Sequence, residues 1–355
     1  MTGASQEASR LAEPHPPSEK LLALTLGDPA GIGPEIVAKA WATLRGAGPR
    51  FVVVGDHDAL ASALPLRLNA TVRRVSSPLE AERVFDDALP VIDLPLSTPV
   101  VAGKPSVFHA QAVIRWIETA VGLALSGAVA GVVTAPIAKA PLYAAGFGFP
   151  GHTEFLAELT SGAPLEGPRG PVMMLAAGDL KTVLVTIHQP LKDAIAALTP
   201  DAIVHVGEVT AHALRRDFGI ERPRLALAGL NPHAGENGTI GREEIEILNP
   251  AAERLRALGI DCPDARPADS LFHAQARQGY DAAICLYHDQ ALIPVKTIDF
   301  WGGVNATLGL PIVRTSPDHG VGYDIAGRGL ARADSLIAAL SMAAEMAQRR
   351  QSRAA

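Results

Sequence analysis

Three apolar stretches of this chain each run directly into a histidine. Ala282-Ala283-Ile284-Cys285-Leu286 leads to Tyr287-His288-Asp289-Gln290 and on to Lys296, Val183 to Ile187 leads to His188-Gln189-Pro190-Leu191, and Leu225 to Leu230 leads to Asn231-Pro232-His233-Ala234-Gly235-Glu236. Short apolar runs bounded by polar residues read as buried strands of a parallel sheet. The carboxyl ends of such strands share one edge, where open α/β sheets bind ligands, so His188, His233 and His288 are expected to converge despite their separation in sequence. Three imidazoles suit a divalent ion, with zinc favoured and magnesium, cobalt or manganese as alternatives, and such a site leaves positions open for substrate. Each histidine alone reads equally well as a residue that caps its strand or bonds nearby backbone; the same placement three times over favours a shared site.

The elements that must position these residues alternate along the chain. Leu21 to Leu26 reads as a strand, followed by the glycine-rich turn Gly27-Asp28-Pro29-Ala30-Gly31-Ile32-Gly33-Pro34-Glu35 and a helix; Phe51 to Asp56 and Ala130 to Pro136 read as further strands, with an amphipathic helix over 107–126 between them. Alternating strands and helices predict a mainly parallel sheet. The glycine-rich turn lacks the Lys-Ser/Thr ending of a P-loop and the Gly-x-Gly-x-x-Gly spacing, so a ligand loop and a tight structural turn both fit it. Gly151-His152-Thr153-Glu154 reads as a helix start, with Thr153 as cap and His152 placed to hydrogen-bond a phosphate; a plain cap is the alternative. The glycine-punctuated stretch Arg314 to Gly329 reads as one long loop ahead of the final helix.

Composition narrows the function classes. A chain of 355 residues exceeds what one hydrophobic core usually serves, so two α/β lobes with a cleft between them are expected. The net charge of −6 gives no basic stripe for nucleic acid, and 48% apolar residues are spread without a run long enough to span a bilayer. Cys262 and Cys285, the two cysteines, argue against a disulfide framework and fit a reducing, cytoplasmic setting. Residues 1–20, rich in proline and carrying Glu7, Glu13 and Glu19, read as a disordered tail without a signal core.

Taken in order, the blocks Gly27 to Glu35, Gly151 to Glu154, His188 to Leu191, Asn231 to Glu236, Pro267-Ala268-Asp269-Ser270, His288 to Lys296 and Asp318 to Gly329 resemble the 4-hydroxythreonine-4-phosphate dehydrogenase family of pyridoxal 5′-phosphate biosynthesis. The resemblance runs from about residue 21 to about residue 340. It implies a two-lobed α/β/α fold like that of isocitrate and isopropylmalate dehydrogenases. It also implies NAD(P)-dependent oxidation of 4-phosphooxy-L-threonine, then decarboxylation to 3-amino-2-oxopropyl phosphate. A homodimer with the site at its interface, and a divalent ion on His188, His233 and His288, are implied as well. By the same matching, His152, Thr153, Lys296, Asn305 and Arg314 contact substrate. The segment His319-Gly320-Val321-Gly322-Tyr323-Asp324-Ile325-Ala326-Gly327 resembles the adenosine-binding loop of the isocitrate and isopropylmalate dehydrogenases, so His319, Gly320 and Asp324 are expected to bind NAD or NADP. The lobes are then 21–135 with 308–355 (outer) and 136–307 (inner, with the metal site and dimer interface).

Within that frame the residue types have defined uses. A cation bound to an alcohol oxygen eases proton loss as hydride leaves to nicotinamide, and can hold the charge that develops when carbon dioxide departs. Lys296 either moves a proton, if desolvation beside the ion depresses its pKa, or simply pairs with a substrate anion. Arg314 suits a two-pronged anion clamp, and Asn305 can orient a hydroxyl or amine. Asp269 is either a carboxylate that fixes a histidine tautomer or a helix cap. Paralogous dehydrogenases of phosphorylated threonate or erythronate, or of aromatic dihydrodiol carboxylates, are the substrate alternatives. A nicotinamide-independent, metal-dependent phosphate-ester binding or acyl-phosphate transfer protein is the alternative of another class.

Overall fold

The computed structural model describes residues 21–64 and 71–354, so the tail expected over residues 1–20 lies outside the described residues. Its first half runs β1 (Leu22–Thr25), α1 (Gly33–Leu44), β2 (Phe51–Gly55), α2 (His57–Ala63), β3 (Thr71–Arg74), α3 (Pro78–Val84), β4 (Ala88–Asp93), α4 (Ala110–Leu125), β5 (Val132–Thr134), α5 (Lys139–Ala144) and α6 (His152–Leu159). The second half runs β6 (Val172–Ala177), β7 (Leu180–Leu184), α7 (Leu191–Ala196), α8 (Pro200–Phe218), β8 (Leu225–Leu227), α9 (Asn249–Ala257), α10 (Ala274–Arg277), β9 (Ala282–Cys285) and α11 (His288–Ile298). β10 (Val304–Leu308), β11 (Arg314–Pro317) and α12 (Asp334–Ala354) then return to the first half. Local chemistry sets several boundaries: Asp56, Ser77 and Thr199 each accept a backbone N–H at a helix start, and Gly219 ends α8 at φ 70°, a left-handed conformation that glycine adopts without a Cβ clash.

Among the described residues the strands form one 11-stranded sheet in the order β3-β4-β2-β1-β5-β11-β10-β6-β7-β9-β8. β1 and β2 are buried along their whole length, as strands covered by helices on both faces must be. Pairing is mostly parallel, but β10 is antiparallel to both β11 and β6, and β6 to β7. The strand direction therefore reverses at the centre. β7, β9 and β8 are parallel to one another, so the chain segments that carry His188, His288 and His233 leave the sheet at one edge of this group of three strands.

The core is divided in the same way. One cluster, with Trp41 and Trp116 fully buried, takes residues from Leu21 to Leu156 and from Val304 to Ala347, including Leu142 and Phe155. Two others lie between Val172 and Leu308. α12 is tied to α8 by Asp217, whose fully shielded carboxylate takes bonds from Arg216 and Arg350. No helix among the described residues is long and apolar enough to cross a membrane.

Candidate active site

Arg314 is not in a loop: it opens β11 in register with Val132 of β5. The polar run Arg-Thr-Ser-Pro hides a strand because its pairing partners, not its own pattern, bury it. Only 3% of Arg314 is exposed. Its guanidinium donates to Thr307 Oγ1 at 3.0 Å and to Thr134 Oγ1 at 2.7 Å, and lies 3.3 Å from His152 Nδ1. Burial lowers its pKa to about 10, and no carboxylate offsets that burial. Burial first, and then the Arg314 charge, push His152 well below its ordinary range. A neutral His152 that accepts at Nδ1 carries its proton on Nε2. His152 Nε2 and Arg314 Nε are both shielded from solvent and, among the described residues, unpartnered, which leaves two buried donors without an acceptor on a desolvated cation and its neighbour. That chemistry suits an anion.

The start of α6 adds to it. Gly151 is the N-cap and no side chain caps the helix, so Thr153 lies inside the first turn instead of capping it, and its hydroxyl is without a partner among the described residues. The first backbone N–H groups of a helix have no intrahelical acceptor and favour negative charge. Asn305, on β10, turns a shielded and unpartnered Oδ1 toward the protein interior.

His188 and His288 follow β7 and β9, and their rings meet at a centroid distance of 5.7 Å. Burial, then the charges of Lys139 and His288, lower the His188 pKa, which favours the neutral ligand form. His288 starts α11, and its Nδ1 lies 2.7 Å from Asp289 Oδ1, which leaves Nε2 as the ring nitrogen not engaged by that carboxylate. A carboxylate on the second ring nitrogen is how metal-binding histidines are commonly oriented. His233 sits apart from this pair in a rare backbone: residues 233–237 all have φ between 45° and 78°. The buried Glu244 anchors that turn by accepting from Leu230 N, Asn231 N and Asn231 Nδ2, each at 2.8 Å. A Cβ on Gly235 would meet Glu244 Oε2 at 2.7 Å, so the turn requires glycine there. Among the described residues no group of three or more His, Cys, Asp or Glu is gathered as a metal would require. His188 and His288 lie side by side, and no group of three ligands that includes His233 is gathered among the described residues.

Lys296 lies on α11 two turns beyond His288, about 12 Å along the axis. Its Nζ is 3.0 Å from Asp318 Oδ2 and donates to the Asp318 backbone oxygen at 3.0 Å. Asp269 is exposed in the 3-10 turn Ala268–Ser270 and, among the described residues, neither bonds a histidine nor caps a helix; Asp289 holds His288 instead.

The cofactor-loop candidates occupy the shorter loop after β11. His319 and Asp324 are exposed, and a Cβ on Gly320 would meet open space. The glycine-rich turn after β1 is buried and packs under this loop. Tyr323 donates to Asp28 Oδ2, Ile32 N to Val321 O, and Gly329 N and Ala331 N to Glu35, while Lys39 donates to Gly329 O and Ala331 O. Asp28, Tyr323, Thr134, Thr307, Asp289 and Glu244 are the functional candidates that sequence reasoning missed; each acts through a partner remote in sequence or, for Asp289, through the residue beside it.

The family described as pyridoxal phosphate biosynthetic protein PdxA matches residues 48–343. The chain is 66% identical over 329 residues to the 4-hydroxythreonine-4-phosphate dehydrogenase of Caulobacter vibrioides, covering 93% of this chain and 98% of the relative. The crystal structure of the Klebsiella pneumoniae enzyme of the same name superposes with a TM-score of 0.82 at 41% identity, covering 93% and 98% of the two chains. A terephthalate 1,2-cis-dihydrodiol dehydrogenase from Burkholderia xenovorans superposes with a TM-score of 0.61 at 29% identity, covering 92% and 98%. With the α/β sheet and the anion-seeking cluster around Arg314 already in place, these matches show that the chain belongs to the PdxA family of pyridoxal phosphate biosynthetic proteins.

Proposed function

We propose that this chain oxidises 4-phosphooxy-L-threonine with NAD or NADP and decarboxylates the product to 3-amino-2-oxopropyl phosphate, as a step of pyridoxal 5′-phosphate biosynthesis. The observation that carries this reading is the buried Arg314, a cation without a carboxylate beside a helix start rich in free donors. A substrate with an anionic group at each end fits such a site. His152 and Thr153 hold the phosphate at the start of α6, Arg314 clamps an anionic oxygen pair, and Asn305 orients the hydroxyl or amine. Lys296, steadied by Asp318, accepts or returns a proton.

Oxidation removes a hydride from the carbon bearing the hydroxyl and a proton from its oxygen, and the resulting β-keto acid loses carbon dioxide. His188, His233 and His288 are the residues that would hold a divalent ion, zinc before magnesium, cobalt or manganese. When bound, the ion supplies Lewis-acid polarisation of a hydroxyl or carbonyl oxygen. The exposed loop with His319, Gly320 and Asp324 takes the nicotinamide dinucleotide. Exposed Leu191 and Ile195 on α7, Ile293 on α11, and Phe300 and Trp301 beyond it are the apolar side chains we assign to a homodimer, with the site at its interface. A cytoplasmic setting follows from the same role.

The likeness to a dihydrodiol dehydrogenase supports one competing substrate class. A turnover panel of 4-phosphooxy-L-threonine, phosphorylated threonate and erythronate, and an aromatic dihydrodiol carboxylate, read by reduced-nicotinamide absorbance, separates these. Preference for the first supports the proposal; preference for any other replaces it.

A further inference from the structure

We propose that Lys139 is a further substrate-binding residue whose ammonium pairs with the phosphate monoester at the start of α6. Lys139 is the first residue of α5, a position where the helix dipole disfavours a cation. It is exposed, and among the described residues it has no hydrogen-bond or ion-pair partner. Its Nζ lies 3.6 Å from where a Cβ on Gly151 would stand, and Gly151 is the N-cap of α6.

A second observation marks the same place as an anion subsite. Arg314, 3% exposed and with Nε unpartnered, reaches the first residue of α6 through His152. A phosphate monoester carries between one and two negative charges near neutral pH. Arg314 offsets one of them. The Glu154 carboxylate stands beside Gly151 and adds a like charge, since its Oε2 would lie 2.7 Å from that same Cβ. Lys139 supplies the second positive charge from the opposite element.

This assignment rests on the reading that the phosphate sits at the start of α6. The experiment is steady-state kinetics on the full chain with 4-phosphooxy-L-threonine and inorganic phosphate as competitor, comparing Lys139→Gln, Lys139→Arg and Thr153→Val. Lys139→Gln should raise the substrate KM and the inorganic phosphate inhibition constant by about 10- to 100-fold, with kcat and the nicotinamide KM nearly unchanged. Lys139→Arg should recover most of the loss. If Thr153→Val weakens phosphate inhibition and Lys139→Gln does not, or if Lys139→Gln lowers kcat alone, the Lys139 assignment is overturned and the phosphate subsite stands. If neither variant moves phosphate inhibition, the phosphate subsite is overturned together with it.

Discussion

Tyr323 donates its phenolic hydrogen to Asp28 Oδ2 at 2.5 Å and so ties the loop after β11 to the turn after β1. Asp28 is itself buried and bonds Ala30 N at 2.9 Å, so the acceptor is fixed before the loop arrives. The proposed cofactor loop is held in shape from beneath, at a point that need not touch the cofactor. Tyr323→Phe removes one hydrogen bond to a carboxylate, an interaction of about 1.5–3 kcal/mol. The expected outcome is a nicotinamide KM raised by up to roughly 10- to 150-fold with substrate KM little changed. Equal loss of affinity for both would place the cofactor elsewhere.

Arg314→Lys should lower kcat/KM for the phosphorylated substrate roughly 100- to 1000-fold, because an ammonium cannot reach Thr307, Thr134 and His152 together and still face an anion. Circular dichroism and thermal melts separate this from misfolding. A variant that stays folded and keeps wild-type kinetics would show that the buried cation has no part in binding.

Replacing His188 or His288 by alanine should lower metal content, measured by elemental analysis of the purified protein, and turnover by about two orders of magnitude or more. His233→Ala tests whether the left-handed turn delivers a third ligand in the working enzyme, which its position in this conformation does not show. Full metal content after His233→Ala would remove it from the ligand set and leave the other two.

Asp217 governs acid stability. Burial alone raises its pKa, but the hydrogen bonds and charges of Arg216 and Arg350 outweigh burial and hold it below 3.8. A carboxylate with a depressed folded-state pKa contributes stability that is fully present above its unfolded value and lost as pH falls through the folded one. The wild type should therefore lose this contribution only below about pH 4. Asp217→Asn removes the carboxylate shared by two part-buried guanidinium groups, which keep the backbone oxygens of Leu310 and Pro311 as acceptors, and should cost about 1–3 kcal/mol at neutral pH by urea unfolding. The variant should also show a shallower stability loss in acid. A cost near zero would mean that α12 is held to α8 by packing alone.

Several features that place the site were readable from the chain alone. The apolar runs ahead of His188, His233 and His288 each contain a strand, though β7 ends at Leu184 and β8 at Leu227, short of the expected ends; the strand and helix alternation is real, and the motif blocks give the family. The reversal at β10, β6 and β7 was not readable, because strands buried on both faces carry the same apolar pattern whichever way their neighbours run. Arg314 looked like loop because four polar residues carry no period; its burial comes from Val132 on one side and Ala306, paired with Thr315, on the other. Thr153 looked like a cap because glycine at the preceding position gives no side-chain signal. Asp28 and Tyr323, 295 positions apart, have no local mark of their pairing. Lys139 has none either, since a lone exposed lysine is ordinary until the fold brings it beside Gly151.

The central claim is that this site binds a phosphorylated hydroxy amino acid and passes its hydride to a nicotinamide. The most direct measurement is reduction of NAD or NADP by the metal-replete protein with 4-phosphooxy-L-threonine against free 4-hydroxythreonine. The account predicts turnover of the first and, because the buried donors would be left unpaired, a kcat/KM lower by about 1000-fold for the second. Oxidation of an unphosphorylated dihydrodiol carboxylate with phosphooxy-threonine ignored, or no nicotinamide reduction with any of these substrates, would contradict it.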